Sequence, residues 1–307
     1  MTDSLVTPCT FFIEENPLDI KWRPAWFNRR EWLNELLFST DHGSSKSLAQ
    51  HLKDDNHCVA LALIDLDLFT AITVKTLNDI GVPVTAWLVL PEEQDYWSNL
   101  SNVGDTVYRV NQFIDWMEKN GLSFTGLGID WEPPIQMHFS RNGKKVYPRA
   151  FPEYLKKRNF KAMASLQFEL SYVNVTLGIE TELYVMPSLL SWAFGLRQQP
   201  VVDRRVIMAY STVLPELVGS TRLAYRLMCA GDPKASVAYG IASGARDSSP
   251  GRDFGGGKLP RHLTLQELAR CIKHTPVANR KQPSYLFALN NSSVVHMWES
   301  AAKLAGD

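Results

Sequence analysis

The sequence predicts a single-domain (β/α)8 barrel, and three observations carry that expectation. Eight short apolar runs recur along the 307 residues. Most lack the polar alternation of a half-exposed strand, as expected of parallel strands covered on both faces. Segments with helical periodicity and capping residues lie between them. No glycine-rich dinucleotide fingerprint follows the first run, which disfavours a doubly wound sheet.

Residues 1–34 read as an N-terminal extension, with Trp22, Trp26 and Trp32 on a helix that packs against the barrel floor. The barrel is expected over 35–307. Its strand candidates are, in order, 35–40 (ELLFST), 58–65 (CVALALID), 82–90 (VPVTAWLVL), 124–130 (FTGLGID), 183–189 (LYVMPSL), 205–210 (RVIMAY), 235–242 (ASVAYGIA) and 284–289 (SYLFAL). A helix is expected over 106–120, where Val107, Val110, Ile114 and Met117 share one face and Gly121 ends it. Further helices are expected over 152–173, 216–228 and 264–273. The Thr264-x-x-Glu267 spacing suits a capping box, and Asn290 or Asn291 can cap a last helix running through Ala302.

Composition narrows the partners. The 32 Lys+Arg balance 32 Asp+Glu, so the basic excess of a typical nucleic-acid binder is missing. No run of 18 apolar residues is present, so no membrane-spanning segment is expected. The N-terminus carries Glu14 and Glu15 rather than the basic flank of a secretion signal. Cys9, Cys58, Cys229 and Cys271 show no C-x-x-C spacing, which suits reduced thiols and a soluble, cytoplasmic protein. The seven histidines include no H-x-x-x-H pair, and nothing in the sequence asks for a metal or a cofactor. The expected partner is a small molecule or an oligosaccharide.

The chemistry is concentrated in Phe124-Thr-Gly-Leu-Gly-Ile-Asp130-Trp-Glu132-Pro-Pro134. Residues two apart on a strand share a face, so Asp130 and Glu132 point one way and Trp131 the other. At the C-terminal end of a barrel strand, that face opens on the usual active-site mouth. Two adjacent carboxyls repel when both are ionised, which keeps one protonated and fit to act as a general acid. Pro133 and Pro134 then stop the strand and lead into a loop over 138–147. Capping of the strand end is the plainer role for the same carboxylates.

This stretch resembles the fourth-strand signature of the family 18 glycoside hydrolases, the chitinase and endo-N-acetylglucosaminidase group, which reads approximately Phe-Asp-Gly-Ile-Asp-Leu-Asp-Trp-Glu-Tyr-Pro. The chain matches it at Phe124, Gly126, Asp130, Trp131, Glu132 and Pro134. Met208-Ala-Tyr210 looks like the family's sixth-strand Met-x-Tyr, and Ala238-Tyr-Gly240-Ile resembles its seventh. The resemblance implies a retaining, substrate-assisted hydrolysis. Glu132 would protonate the glycosidic oxygen, Asp130 would orient the substrate N-acetyl group, and Tyr210 would hydrogen-bond the oxazolinium. The first two signature aspartates fall on Thr125 and Gly128, so the usual buried partner of Asp130 is missing.

Other residues extend the candidate site. Trp87 and Trp97, with Tyr96, suit stacking on sugar rings and equally suit a core. Met208 joins them as a substrate-binding candidate by its place beside Tyr210. Asp41 and His42, or Asp65 and Asp67, follow early strand candidates and can supply a second carboxylate or merely cap helices. Asp253-Phe-Gly-Gly-Gly-Lys258 offers backbone amides and the Lys258 ammonium to an anion, or forms a simple surface loop. Three functions thus stand open: a glycosidase, a non-catalytic carbohydrate-binding protein on the same scaffold, and an enzyme for a phosphorylated or otherwise anionic small molecule.

Overall fold

A computed structural model describes residues 8–13, 29–40, 46–134, 154–210, 221–240, 263–289 and 293–306. Its strands are β1 (Cys9–Ile13), β2 (Cys58–Leu63), β3 (Val84–Leu88), β4 (Gly126–Trp131), β5 (Glu180–Val185), β6 (Arg204–Tyr210), β7 (Ser236–Gly240) and β8 (Ser284–Phe287). Every neighbouring pair is parallel, and β8 pairs with β1 to close an eight-stranded barrel. The helices are α1 (Arg29–Phe38), α2 (Leu48–Asp54), α3 (Leu68–Ile80), α4 (Val103–Asn120), α5 (Phe160–Val175), α6 (Ser188–Ala193), α7 (Thr221–Met228), α8 (Leu265–His274), α9 (Val277–Arg280) and α10 (Ser293–Gly306). The described residues form one (β/α)8 domain. No helix among them is long and apolar enough to cross a membrane.

Seven of the eight strand expectations meet a strand, and the first does not. Residues 35–38 belong to α1, whose inward face carries Leu33 and Leu37, both essentially buried. The spacing Trp32, Leu33, Leu36, Leu37 is helical, and reading only its last turn makes it look like an apolar strand. The true first strand, Cys9–Ile13, is buried at every position. The segment expected to be an extension before the barrel therefore contributes its first strand. The fifth strand starts three residues earlier than expected, at Glu180, and ends before Pro187, the N-cap of α6. Its polar start hides it from a hydrophobicity search.

The helix expectations fare better. α4 ends at Gly121 with φ 61°, the left-handed cap that glycine adopts without strain. Thr264 and Glu267 make the expected capping box on α8. α5 begins only at Phe160, where the Asn159 side chain accepts from the Ala162 amide.

Two cores result from the strand period of two. Outward residues such as Leu127, Ile129 and Trp131 pack under the helices. Inward residues fill the barrel with a plug of Phe12, Trp87, Tyr184, Val206, Met208 and Tyr285. Phe12 sits at its centre, with ring centroids 5.0 Å from Trp87 and 4.9 Å from Tyr184. A packed interior of this kind makes the barrel a solid support for its rim.

Candidate active site

On β4 the inward positions are Gly126, Gly128 and Asp130, with Glu132 next in the same period. The glycines are demanded by space. A Cβ on Gly126 would meet the Thr85 hydroxyl at 2.8 Å, and one on Gly128 would collide with the hydroxyl end of the Tyr184 ring. The phenol of Tyr184 thus occupies the volume that a side chain at position 128 would need. Its hydroxyl donates to Glu182 Oε2 at 2.9 Å, and burial raises its pKa well above the usual tyrosine value, so it stays a neutral phenol.

Glu182 anchors a polar layer toward the N-terminal end of the barrel. Arg204 reaches Glu182 Oε1 at 3.0 Å and Glu180 Oε2 at 2.7 Å, and the Tyr285 hydroxyl donates to Glu182 Oε1 at 2.8 Å. Burial pushes the Glu182 carboxyl up, and the Arg204 guanidinium opposes that shift. A buried charge so fully hydrogen-bonded locks the Tyr184 ring against Gly128. Asp130 follows Gly128 on the inward face, toward the C-terminal end of β4.

The backbone around the two carboxylates is clamped by the β3–β4 connection. Ser98 forms a parallel bridge to Trp131, its amide donating to the Asp130 carbonyl (3.0 Å) and its carbonyl accepting from the Glu132 amide (3.1 Å). Ser98 is held in turn. Its hydroxyl pairs with that of Thr106 at 3.0 Å, and the buried Asn99 and Asn102 side chains both donate to the Trp97 carbonyl. Asp95 and Tyr96 both take positive φ, 72° and 59°, a conformation that costs non-glycine residues of order 1 kcal/mol or more. That turn tucks Tyr96 into the barrel plug. Ser98, Asn99, Asn102 and Tyr184 are the positioning residues that sequence reasoning missed. The Asn99-x-x-Asn102 spacing at the start of a helix was their one visible signal.

Asp130 is 3% exposed and hydrogen-bonds the partly buried Glu132. Burial pushes the Glu132 carboxyl up to about 7, and the hydrogen bond with Asp130 pulls in the opposite direction. Glu132 therefore keeps its proton up to about neutral pH. Because the folded pKa is raised, the group's contribution to stability is full below its ordinary value of 4.5 and is lost as pH rises through about 7. The span between those two values bounds the loss at about 3 kcal/mol. Urea unfolding at pH 4.5 and pH 8 should show this decline in the unmutated protein and a flatter profile in Glu132→Gln. Equal slopes would show that Glu132 titrates normally.

The remaining candidates divide. Tyr210 ends β6 in register with Gly240, but its side chain lies outside the described residues, as do Asp41, His42, Lys258 with its glycine loop, and the 138–147 loop. Met208 is buried in the barrel plug. Trp87 is 3% exposed and packed among Phe12, Tyr184 and Phe287, a core filler with no open face for a sugar. Trp97 is only partly buried and sits beside the Ser98 clamp, which leaves it the better-placed aromatic. Asp67 is the N-cap of α3, accepting from the Thr70 amide at 2.7 Å.

No protein-family model matches the chain, and no curated protein matches it significantly. The likeness to the family 18 signature therefore rests on the residues quoted above.

Proposed function

We propose that the protein is a glycoside hydrolase-like barrel in which Glu132 is the general acid/base and Asp130 the assisting carboxylate. The observation that carries this reading is the hydrogen-bonded Asp130–Glu132 pair at the end of β4, with Glu132 raised to about 7 by burial. A carboxyl that keeps its proton near neutrality can protonate a glycosidic oxygen as the bond to the anomeric carbon breaks. It then returns as the base that activates the incoming water. Asp130, fixed through its backbone by Ser98, either holds a substrate N-acetyl group or tunes the proton on Glu132. Trp97, partly buried and next in sequence to the Ser98 clamp, is the aromatic candidate for stacking on a sugar ring.

The test is hydrolysis across a broad glycoside panel, paired with a glycan array. Hydrolysis with kcat/KM falling as pH rises above about 7 is expected, because the acid form of Glu132 disappears. Asp130→Asn separates the two roles of its carboxylate. If it orients the substrate, only N-acetylated substrates slow. If it acts through the proton on Glu132, all substrates slow alike, and the space taken by Tyr184 at Gly128 favours this second outcome. Array binding with no turnover on any glycoside would replace the enzyme by a carbohydrate-binding protein.

A further inference from the structure

A second cluster of ionisable side chains lies at the opposite end of the barrel. His57 immediately precedes β2, and its Nδ1 accepts from the amide of Cys9, the first residue of β1, at 3.1 Å. From there the cluster extends outward to His51 on α2 and to His296 and Glu299 on α10. His51 Nε2 lies 3.2 Å from Glu299 Oε1, and His296 Nδ1 lies 3.5 Å from Glu299 Oε2. The two imidazole centroids are 5.0 Å apart. One ligand atom from each of the three residues falls within 4.8 Å of the others.

We propose that His51, His296 and Glu299 bind a divalent transition-metal ion, of which zinc is the best match. Metal–ligand bonds of about 2.0–2.1 Å in a tetrahedron place neighbouring ligand atoms roughly 3.3 Å apart. The 3.2 Å and 3.5 Å separations, made to the two different oxygens of Glu299, lie near that edge, and with one ligand atom per residue the three lie within 4.8 Å of one another. His51 Nε2 and Glu299 Oε1 are buried and close, yet neither has a hydrogen-bond partner.

The surrounding residues support the same ligand set. Asp55 Oδ2 stands 3.4 Å from His51 Nδ1, where it can accept the Nδ1 proton when Nε2 ligates an ion. His57 has the reverse tautomer. Its Nδ1 is occupied by the Cys9 amide, so its proton sits on Nε2, aimed at Glu299 Oε1 from 3.7 Å. His57 is fully buried. With its Nδ1 occupied and its Nε2 3.7 Å from the carboxylate, it neighbours the site and is not a ligand. Two imidazoles and one carboxylate suit zinc-class ions over magnesium or calcium, which prefer all-oxygen sites. Three protein ligands leave one position for water. The bound ion would join α2 to α10 and stiffen the seam where β1 closes the barrel.

The full chain, stripped with EDTA, is to be titrated with zinc chloride by calorimetry and thermal unfolding. Cobalt(II) serves as a spectroscopic probe of coordination. Expected are one saturable zinc site, a zinc-dependent rise in Tm, and the visible absorption of tetrahedral cobalt. The His296 side chain is 64% exposed, so His296→Ala should fold normally while weakening zinc by at least about tenfold. Asp55→Asn should weaken it by about 10–100-fold through the tautomer of His51. The absence of saturable zinc binding, or identical zinc affinity in folded His296→Ala and the unmutated protein, would overturn the proposal.

Discussion

Glu132→Gln is expected to reduce glycoside hydrolysis by about 10²–10⁴-fold, equivalent to about 3–5 kcal/mol of barrier. The amide keeps the shape and most hydrogen bonds of the side chain but has no proton to give a leaving oxygen. Ligand affinity should change by no more than a few-fold, since the Ser98 clamp that positions this residue acts through the backbone. Rates and glycan dissociation constants, measured on the same substrate, make the comparison. Unimpaired hydrolysis in the variant would move the chemistry to another residue.

Gly128→Asp, which restores the residue of the family 18 signature, should destabilise the protein by at least about 4 kcal/mol. Overpacking alone costs about 1–3 kcal/mol, and an unpaired buried carboxylate adds several more. The Tyr184 ring has no place to retreat. It is 1% exposed, wedged against Phe12, Trp87 and Tyr285, and tied to Glu182 by its hydroxyl. Gly128→Ala should carry the overpacking cost without the charge. In a Tyr184→Ala background the same additions should cost markedly less, because the ring that forbids them is gone. Urea midpoints of the six proteins (the unmutated chain, Tyr184→Ala, and each Gly128 substitution in both) test this coupling, and a Gly128→Asp protein of unchanged stability would show that Tyr184 moves aside.

The two carboxylates were legible because the signal for them is local. Asp130 and Glu132 are two residues apart on a strand, and that spacing alone puts them on one face. The capping box at Thr264 and Glu267 and the glycine cap at Gly121 were legible for the same reason. Strands β2, β3, β4, β6, β7 and β8 were visible as buried apolar runs. β5 was clipped because Glu180 and Glu182 look like loop residues until Arg204, 24 and 22 positions away, is beside them. β1 is only five residues long, and the apolar stretch of α1 is the richer signal.

What the sequence determined by itself was therefore the barrel class, most of its strands, and the face on which Asp130 and Glu132 stand. The tertiary structure alone decided what surrounds them. Trp87 is a core filler because Phe12, from the first strand, and Phe287, from the last, close over it. Gly128 is small because Tyr184, from the next strand, fills its place. His51 meets His296 and Glu299 because barrel closure brings the first and last thirds of the chain together. Period and capping are fixed by neighbours a few residues apart. Burial, proton sharing and ligand convergence depend on side chains tens to hundreds of residues away, and no window along the chain contains both partners.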